Sequence, residues 1–242
     1  MRTIIPILHG VIDRRILVNF RVQPDVIREI LPLQFRPKLV KGWAMAGICL
    51  IRLKDTRPRG FPCGFTSENA AHRIAVEWKE NGVMREGVFI PRRDTSSVVQ
   101  AFAGEQFSLG VHHVAKFGVA EGKGAYSLQM RSLDDAVFVE VNACRASRIP
   151  ATSIFTSLDE ASEFFARGSI GYSAARHANC CDGLELFTSR WEVEPLDVQS
   201  VRSSFFEDPK RFPKGTIYFD CALLMRNIEH EWHVLPRMER QL

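Results

Sequence analysis

The feature that most limits what this chain can fold into is a succession of runs rich in β-branched and aromatic residues. They lie at 11–22, 43–53, 73–78, 83–90, 112–119, 125–130, 137–146 and 216–224. Several alternate apolar with polar residues, the period of two that marks a half-buried strand. Turn signals punctuate them at Asn81-Gly82, Glu121-Gly122-Lys123-Gly124 and Asp182-Gly183. Helical stretches are few. Pro24 suits a first helical position, and the helix it opens runs to about Leu31, where Pro32 stops it. Asp94 reads as the N-cap of a helix over 95–103 that ends at Gly104. Ser157 and Glu160 form a capping box, with Gly168 as the stop. Many strands with short helices predict a mainly β (α+β) fold, an antiparallel β-barrel or strongly bent sheet, as one domain over residues 1–242.

Several function classes are excluded at this level. There is no G-x-G-x-x-G and no P-loop, so the usual devices for dinucleotides and ATP are missing, and no cofactor is expected. No G-x-S-x-G elbow marks an α/β-hydrolase. Lys and Arg number 32 against 28 Asp and Glu, and a net charge of +4 without a clustered basic face gives no nucleic-acid partner. No apolar run approaches the ~20 residues of a membrane helix, and the N-terminus lacks the apolar stretch of a signal peptide. The six cysteines form no C-x-x-C pair; they read as reduced thiols in a cytoplasmic protein.

The residues that could carry chemistry are scattered. His112-His113 opens a strand, where neighbouring side chains point to opposite faces, so one imidazole faces inward and one outward. His230-Glu231-Trp232-His233 lacks the four-residue spacing of H-E-x-x-H, and no metal site is expected from it. Glu68 precedes an apolar strand and could act as an acid or base at the mouth of a barrel. The doublets Arg14-Arg15 and Arg92-Arg93 could each send one guanidinium inward as a carboxylate clamp, although an arginine of the second could pair with Asp94 instead. Phe61-Pro62 and Phe205-Phe206 read as apolar loops that could cap a cavity or form a subunit contact.

Three blocks, in order, resemble the acetoacetate decarboxylase-like superfamily, and within it the uncharacterised DUF2071 (YqjF-like) branch. They are Val18-Asn19-Phe20-Arg21-Val22-Gln23-Pro24 through Ile30-Leu31-Pro32; Ser67-Glu68-Asn69-Ala70-Ala71-His72-Arg73-Ile74-Ala75-Val76; and the stretch from Ala103 to His113. The resemblance implies a β-barrel or cone around an internal cavity, in a homo-oligomer. In the decarboxylases a lysine in the third block forms a Schiff base with a β-keto acid. Here His112 stands at that position and His113 at the second lysine, and imidazole cannot form an iminium, so Schiff-base decarboxylation is not expected. Glu68 matches the family's catalytic glutamate. Arg14 is the nearest match to its carboxylate-binding arginine, one residue out of register, a shift that reverses the face. Lys116, four residues beyond His112 and about 13 Å along the strand, is too far to replace the missing amine.

These readings give a small-molecule-binding barrel for a small carboxylate or carbonyl compound, with Arg14, His72, Arg92 and His113 as candidate binding residues. The alternative is a lyase, hydratase or isomerase that uses Glu68 and His112 as acid and base on a small oxo acid.

Overall fold

The structure, a computed structural model, describes residues 7–101, 110–175 and 180–239. Its strands are β1 (Leu8–Val22), β2 (Arg36–Pro37), β3 (Leu39–Val40), β4 (Trp43–Pro58), β5 (Phe65–Glu80), β6 (Val83–Thr95), β7 (His113–Gly122), β8 (Ala125–Ser132), β9 (Phe138–Arg145), β10 (Ile170–Ala174), β11 (Cys180–Thr188), β12 (Glu194–Ser203) and β13 (Ile217–Glu239). The helices α1 (Pro24–Ile30) and α2 (Leu158–Ala166) match two of the expected ones. Ser157 caps α2, its hydroxyl accepting from the Glu160 N–H. The Glu160 carboxylate instead takes the N–H and hydroxyl of Thr156, at 2.6 Å each. The expected helix over 95–103 is shorter than predicted. Asp94 and Thr95 still belong to β6, a helical turn occupies 98–101, and Ala103 and Gly104 lie outside the described residues.

All the strands join one 13-stranded sheet. A common wall runs β13–β1–β4–β5–β6, antiparallel throughout. At its ends the two longest commitments fork. The free edge of β6 pairs with β10 through Val88–Ile90 and then with β7 through Asp94 and Thr95. The free edge of β13 pairs with β12 through Ala222–Leu224 and then with β11 from His230 onward. The pairings therefore close in two circuits that share the wall, one through β10 and β11, the other through β7, β8, β9 and β12. The expectation of antiparallel pairing needs correction at the fork, because the β6–β10 and β6–β7 ladders are parallel.

A wall shared by two circuits is covered on both faces. One face carries Ile16, Val18, Ile48, Leu50, Ile74 and Leu224; the other carries Leu17, Met45, Cys49, Ile51, Leu223 and Met225. That explains the nearly unbroken apolar run in β4, which a strand with one wet face would not show. Asn81-Gly82 and Lys123-Gly124 make tight hairpin turns with positive φ at both residues, as the sequence signals require. Asp182-Gly183 does not turn. It lies within β11, where Gly183 faces Tyr172 on β10, and a Cβ there would come within 2.6 Å of the Tyr172 ring. Phe205 and Phe206 are not loop caps either; they are buried against Phe212, Phe20 and the His72 ring. No disulfide joins the six cysteines. No helix among the described residues is long and apolar enough to cross a membrane.

Close approach of β1 and β4 depends on Gly47, where an added Cβ would sit 2.4 Å from the Val18 carbonyl oxygen. Backbone cannot yield as a flexible side chain can. Gly47→Ala is expected to destabilise the fold by about 1–3 kcal/mol in chemical denaturation; an unchanged midpoint would show that the wall can separate there at little cost.

Candidate functional site

Small residues on one face of the wall open a space. The register places Leu17 beside Cys49, Cys49 beside Ala71, and Ala71 beside Arg93. Cys49 and Ala71 are too short to fill the circuit closed by β10 and β11, and a cavity of about 130 Å³ lies over them. Its walls are largely apolar, with Ile51, Leu53, Ile90, Leu184, Leu186 and Trp232 among them.

Arginines on three strands of the wall line this cavity: Arg15 on β1, Arg73 on β5 and Arg93 on β6. None has a carboxylate partner among the described residues. Arg15 donates from Nε to the Cys49 sulfur at 3.3 Å and lies over the Trp191 ring. Arg73 donates to Asn19 Oδ1 at 2.5 Å and stacks on Phe165, leaving its Nε without an acceptor. Arg93 makes no hydrogen bond to any described residue, and its Nε is buried. Burial pulls the pKa of both Arg73 and Arg93 down to about 10, with Cys49 within electrostatic reach of each. Both remain cationic at neutral pH. Asp94 is the one acidic residue among the described lining residues, and Arg92 holds it at 2.8 Å. Burial raises the Asp94 pKa despite the opposing hydrogen bonds of Arg92. No other described lining residue carries a negative charge to set against the three guanidiniums.

His112 completes the polar edge of the cavity. Its Nδ1 lies 3.0 Å from the Gly110 carbonyl oxygen, which can only accept, so Nδ1 carries the hydrogen. Gly110 itself has φ +84°, and a Cβ there would meet the Ser173 hydroxyl at 2.3 Å. A glycine is thus required to turn the carbonyl toward the imidazole. Burial, reinforced by the nearby Arg93 charge, lowers the His112 pKa to about 3. The ring is neutral at pH 7, and Nε2 is left as an acceptor with no partner among the described residues.

Of the residues singled out from sequence, His112 lines the cavity, and so does one arginine of each doublet, Arg15 and Arg93 rather than Arg14 and Arg92. Glu68 and Arg14 meet on the opposite face of the wall. Arg14, 0 % exposed, donates to Glu68 and to Glu121 at 2.5 Å each. Arg52 donates to Glu68 at 2.6 Å and Arg226 to Glu121 at 3.1 Å, and Asp13 takes Lys54 at 2.7 Å. Burial works against the Glu121 charge, but Arg14, Arg52 and Arg226 outweigh it and hold its pKa below the usual range. His72 is buried on that same side, its Nε2 3.1 Å from the Ser203 hydroxyl and its ring against Phe205. Arg92 is spent on Asp94 and Asp134, and His113 points outward to Asp134 at 3.1 Å. Lys116 is exposed on β7, and the described residues that line the cavity include no lysine. In the His230–His233 stretch, the His233 ring pairs with Glu231 at 2.9 Å while His230 is buried on the other face. Among the described residues no group of three or more His, Cys, Asp or Glu could hold a metal.

Arg73 and Cys49 are not among the sequence candidates, and each arginine doublet leaves open which member faces inward. The signal that finds them is alternation: Arg15 shares its face with Leu17, and Asn69, Ala71 and Arg73 share theirs on β5.

Comparison with solved structures agrees with this architecture. An acetoacetate decarboxylase from Legionella pneumophila matches with a TM-score of 0.63 at 11% identity, over 96% of this chain and 88% of that one. An acetoacetate decarboxylase-like enzyme from Sphingomonas wittichii gives 0.58 at 11% identity, over 97% and 92%. The enduracididine biosynthesis enzyme MppR, complexed with pyruvate, gives 0.57 at 12% identity, over 97% and 90%. At these identities the likeness is one of fold. No match to a curated protein was found. The family model described as DUF2071, uncharacterized conserved protein (COG2071), matches residues 12–215. With that match across most of its length, this chain belongs to the DUF2071 family, and it shares the fold of the acetoacetate decarboxylases.

Proposed function

We propose that the cavity binds a small carboxylate, gripped by Arg93 and oriented by His112, and that it does so without Schiff-base chemistry. The observation that carries this reading is Arg93: a cation open to the cavity that makes no ion pair with any described residue, the acid within its electrostatic reach, Asp182, being bound to Arg237 at 2.8 Å. An unpaired buried charge costs several kcal/mol, which a fold does not retain without a compensating partner. A carboxylate entering the cavity supplies that partner through charge-assisted, paired hydrogen bonds suited to the planar guanidinium. The neutral His112 accepts at Nε2, so a hydroxyl on the ligand, or a bound water, can donate to it. MppR, which shares the fold, is complexed with pyruvate; a short oxo acid is the same class of ligand.

Without a lysine in the lining, nothing can form an iminium, and an imidazole with its pKa near 3 is a weak base at neutral pH. The acid–base alternative, with Glu68 and His112 acting on one oxo acid, would need both groups on one face; they stand on opposite faces of the wall. Binding is the reading the geometry supports best.

Calorimetric titration with pyruvate, on wild type and on Arg93→Met, tests it. Wild type is expected to bind in the millimolar range or tighter. Arg93→Met is expected to lose about tenfold or more in affinity, the worth of a charged hydrogen-bonded pair. Without ligand, Arg93→Met should melt no lower than wild type, because an unmatched charge has been removed. If pyruvate and other short carboxylates leave wild type unaffected, or if Arg93→Met binds equally well, the proposal fails.

A further inference from the structure

The cavity holds more positive charge than one carboxylate can satisfy. Arg15, Arg73 and Arg93 converge on it, and the only acidic residue among the described lining residues, Asp94, is already neutralised by Arg92. A monocarboxylate on Arg93 would leave the buried Arg73 and the half-buried Arg15 without an anion among the described residues. Arg73 is the least in need of one, since Asn19 Oδ1 accepts from it and Phe165 lies beneath it. Arg15 has only sulfur acceptors, Cys49 at 3.3 Å and Met225 at 3.9 Å, and the edge of Trp191's field. Sulfur is a weak acceptor, and neither contact supplies a charge.

Arg15 and Arg93 also stand at opposite ends of the site. β4 and β5 separate their strands, so three strand spacings, on the order of 14 Å along a flat sheet, lie between their backbones. Arg15 reaches the Cys49 sulfur from its end, and the Arg93 guanidinium lies beside Gly110 and Gly171, next to His112, so the two cations bracket the cavity. The apolar residues Ile51, Ile90 and Leu186 line the space. They suit methylene groups and offer nothing to a compact inorganic anion. The volume of about 130 Å³ is close to the about 150 Å³ in which an engineered cavity takes benzene, which limits the ligand to a short chain.

We propose that the ligand is a short aliphatic dicarboxylate, one carboxylate held by Arg93 beside His112 and the other by Arg15. This rests on the carboxylate-binding reading above and deepens it by fixing the charge of the ligand and naming Arg15 as the residue that selects it.

The test titrates wild type, Arg15→Met and Arg93→Met with succinate, with butyrate as the four-carbon monocarboxylate, and with inorganic phosphate. Succinate is expected to bind wild type about tenfold or more tightly than butyrate, since it adds a charged hydrogen-bonded pair. Arg15→Met is expected to abolish that preference while leaving butyrate affinity within about twofold, and Arg93→Met to weaken both ligands. Melting temperatures at or above wild type verify that both variants are folded. Equal affinity of wild type for succinate and butyrate overturns the dicarboxylate inference and leaves the carboxylate reading standing. Binding of phosphate in preference to both overturns both readings, and so does failure of every probe to bind. Loss of butyrate affinity in Arg15→Met, as large as the loss of succinate affinity, overturns the division of labour between the two arginines.

Discussion

Between pH 7 and pH 5 this protein is expected to lose about 6 kcal/mol of stability, before its carboxylates begin to titrate. Three imidazoles set the size of the effect: His112, whose pKa burial lowers to about 3, and two more. His72 is 0 % exposed, and burial together with the charges of Arg92 and Arg211 lowers its pKa from 6.5 to about 3. His230 is 3 % exposed, and burial together with the Arg15 charge lowers its pKa from 6.5 to about 4. All three are neutral in the fold and protonate freely once unfolded. The unfolded chain therefore binds more protons below pH 6.5, and stability falls from there until the folded-state values near 3 and 4 are reached. At pH 5 each group is about 1.5 units below its unfolded value, a penalty of about 2 kcal/mol apiece. Carboxylates held low by cations, such as Asp13 and Glu121, withdraw their own stabilisation only at more acid pH, near their unfolded values of about 4. The upper window belongs to the histidines. Denaturant midpoints at pH 7, 6 and 5 measure it, and His72→Phe, which keeps the ring against Phe205 and Phe206, should remove about a third of the slope. A midpoint that stays flat from pH 7 to 5 would show that water reaches all three rings.

Much of this architecture could be read from the residues, and the failures have physical causes. The long runs of β1 and β4 announce strands because burial on both faces demands unbroken apolar residues. The same double burial hides which face a given side chain takes. In a strand with one wet face the apolar positions name the inner side; in β1, Ile16, Leu17 and Val18 are all buried, and no alternation says whether Arg14 or Arg15 meets the cavity. Glu68 was read at a barrel mouth because the block around it resembles a family motif, yet β5 begins at Phe65, and the period of two turns Glu68 to the face opposite Cys49 and Ala71. Asp182-Gly183 was read as a turn because that dipeptide usually is one. Its glycine serves a neighbour on the next strand, the Tyr172 ring, which no local pattern reveals. His112 was legible from its alignment with the decarboxylase lysine. Arg15 and Arg93 were legible only as members of doublets, and Arg73 not at all, because their meaning comes from the absence of an ion pair with any described residue, a property of three strands together rather than of any one.

The sharpest consequence is that two adjacent arginines should fail in opposite ways. Arg14 is fully buried and bound to Glu68 and Glu121. Removing one member of such a network leaves its partners charged and half-desolvated, at a cost of about 3–5 kcal/mol. Here Glu68 keeps Arg52, and Glu121 keeps Arg52 and Arg226, so Arg14→Met belongs near the lower end, about 3 kcal/mol. Its affinity for cavity ligands should stay within about twofold of wild type, because nothing in the network touches the cavity. Arg15→Met should do the reverse. It gives up a stacking contact with Trp191, worth about 0.5–1 kcal/mol, and sheds a half-buried charge with no ion pair to any described residue, so the net change in stability is within about 1 kcal/mol. Its succinate affinity should fall by about tenfold or more. Denaturation and calorimetry on the same two preparations give both axes. If Arg14→Met weakens succinate while Arg15→Met weakens the fold, the two faces of β1 have been assigned the wrong way round. The strand is otherwise the same on both sides, apolar and buried; what separates a structural guanidinium from one that waits for a ligand is whether the sheet brings it an acid.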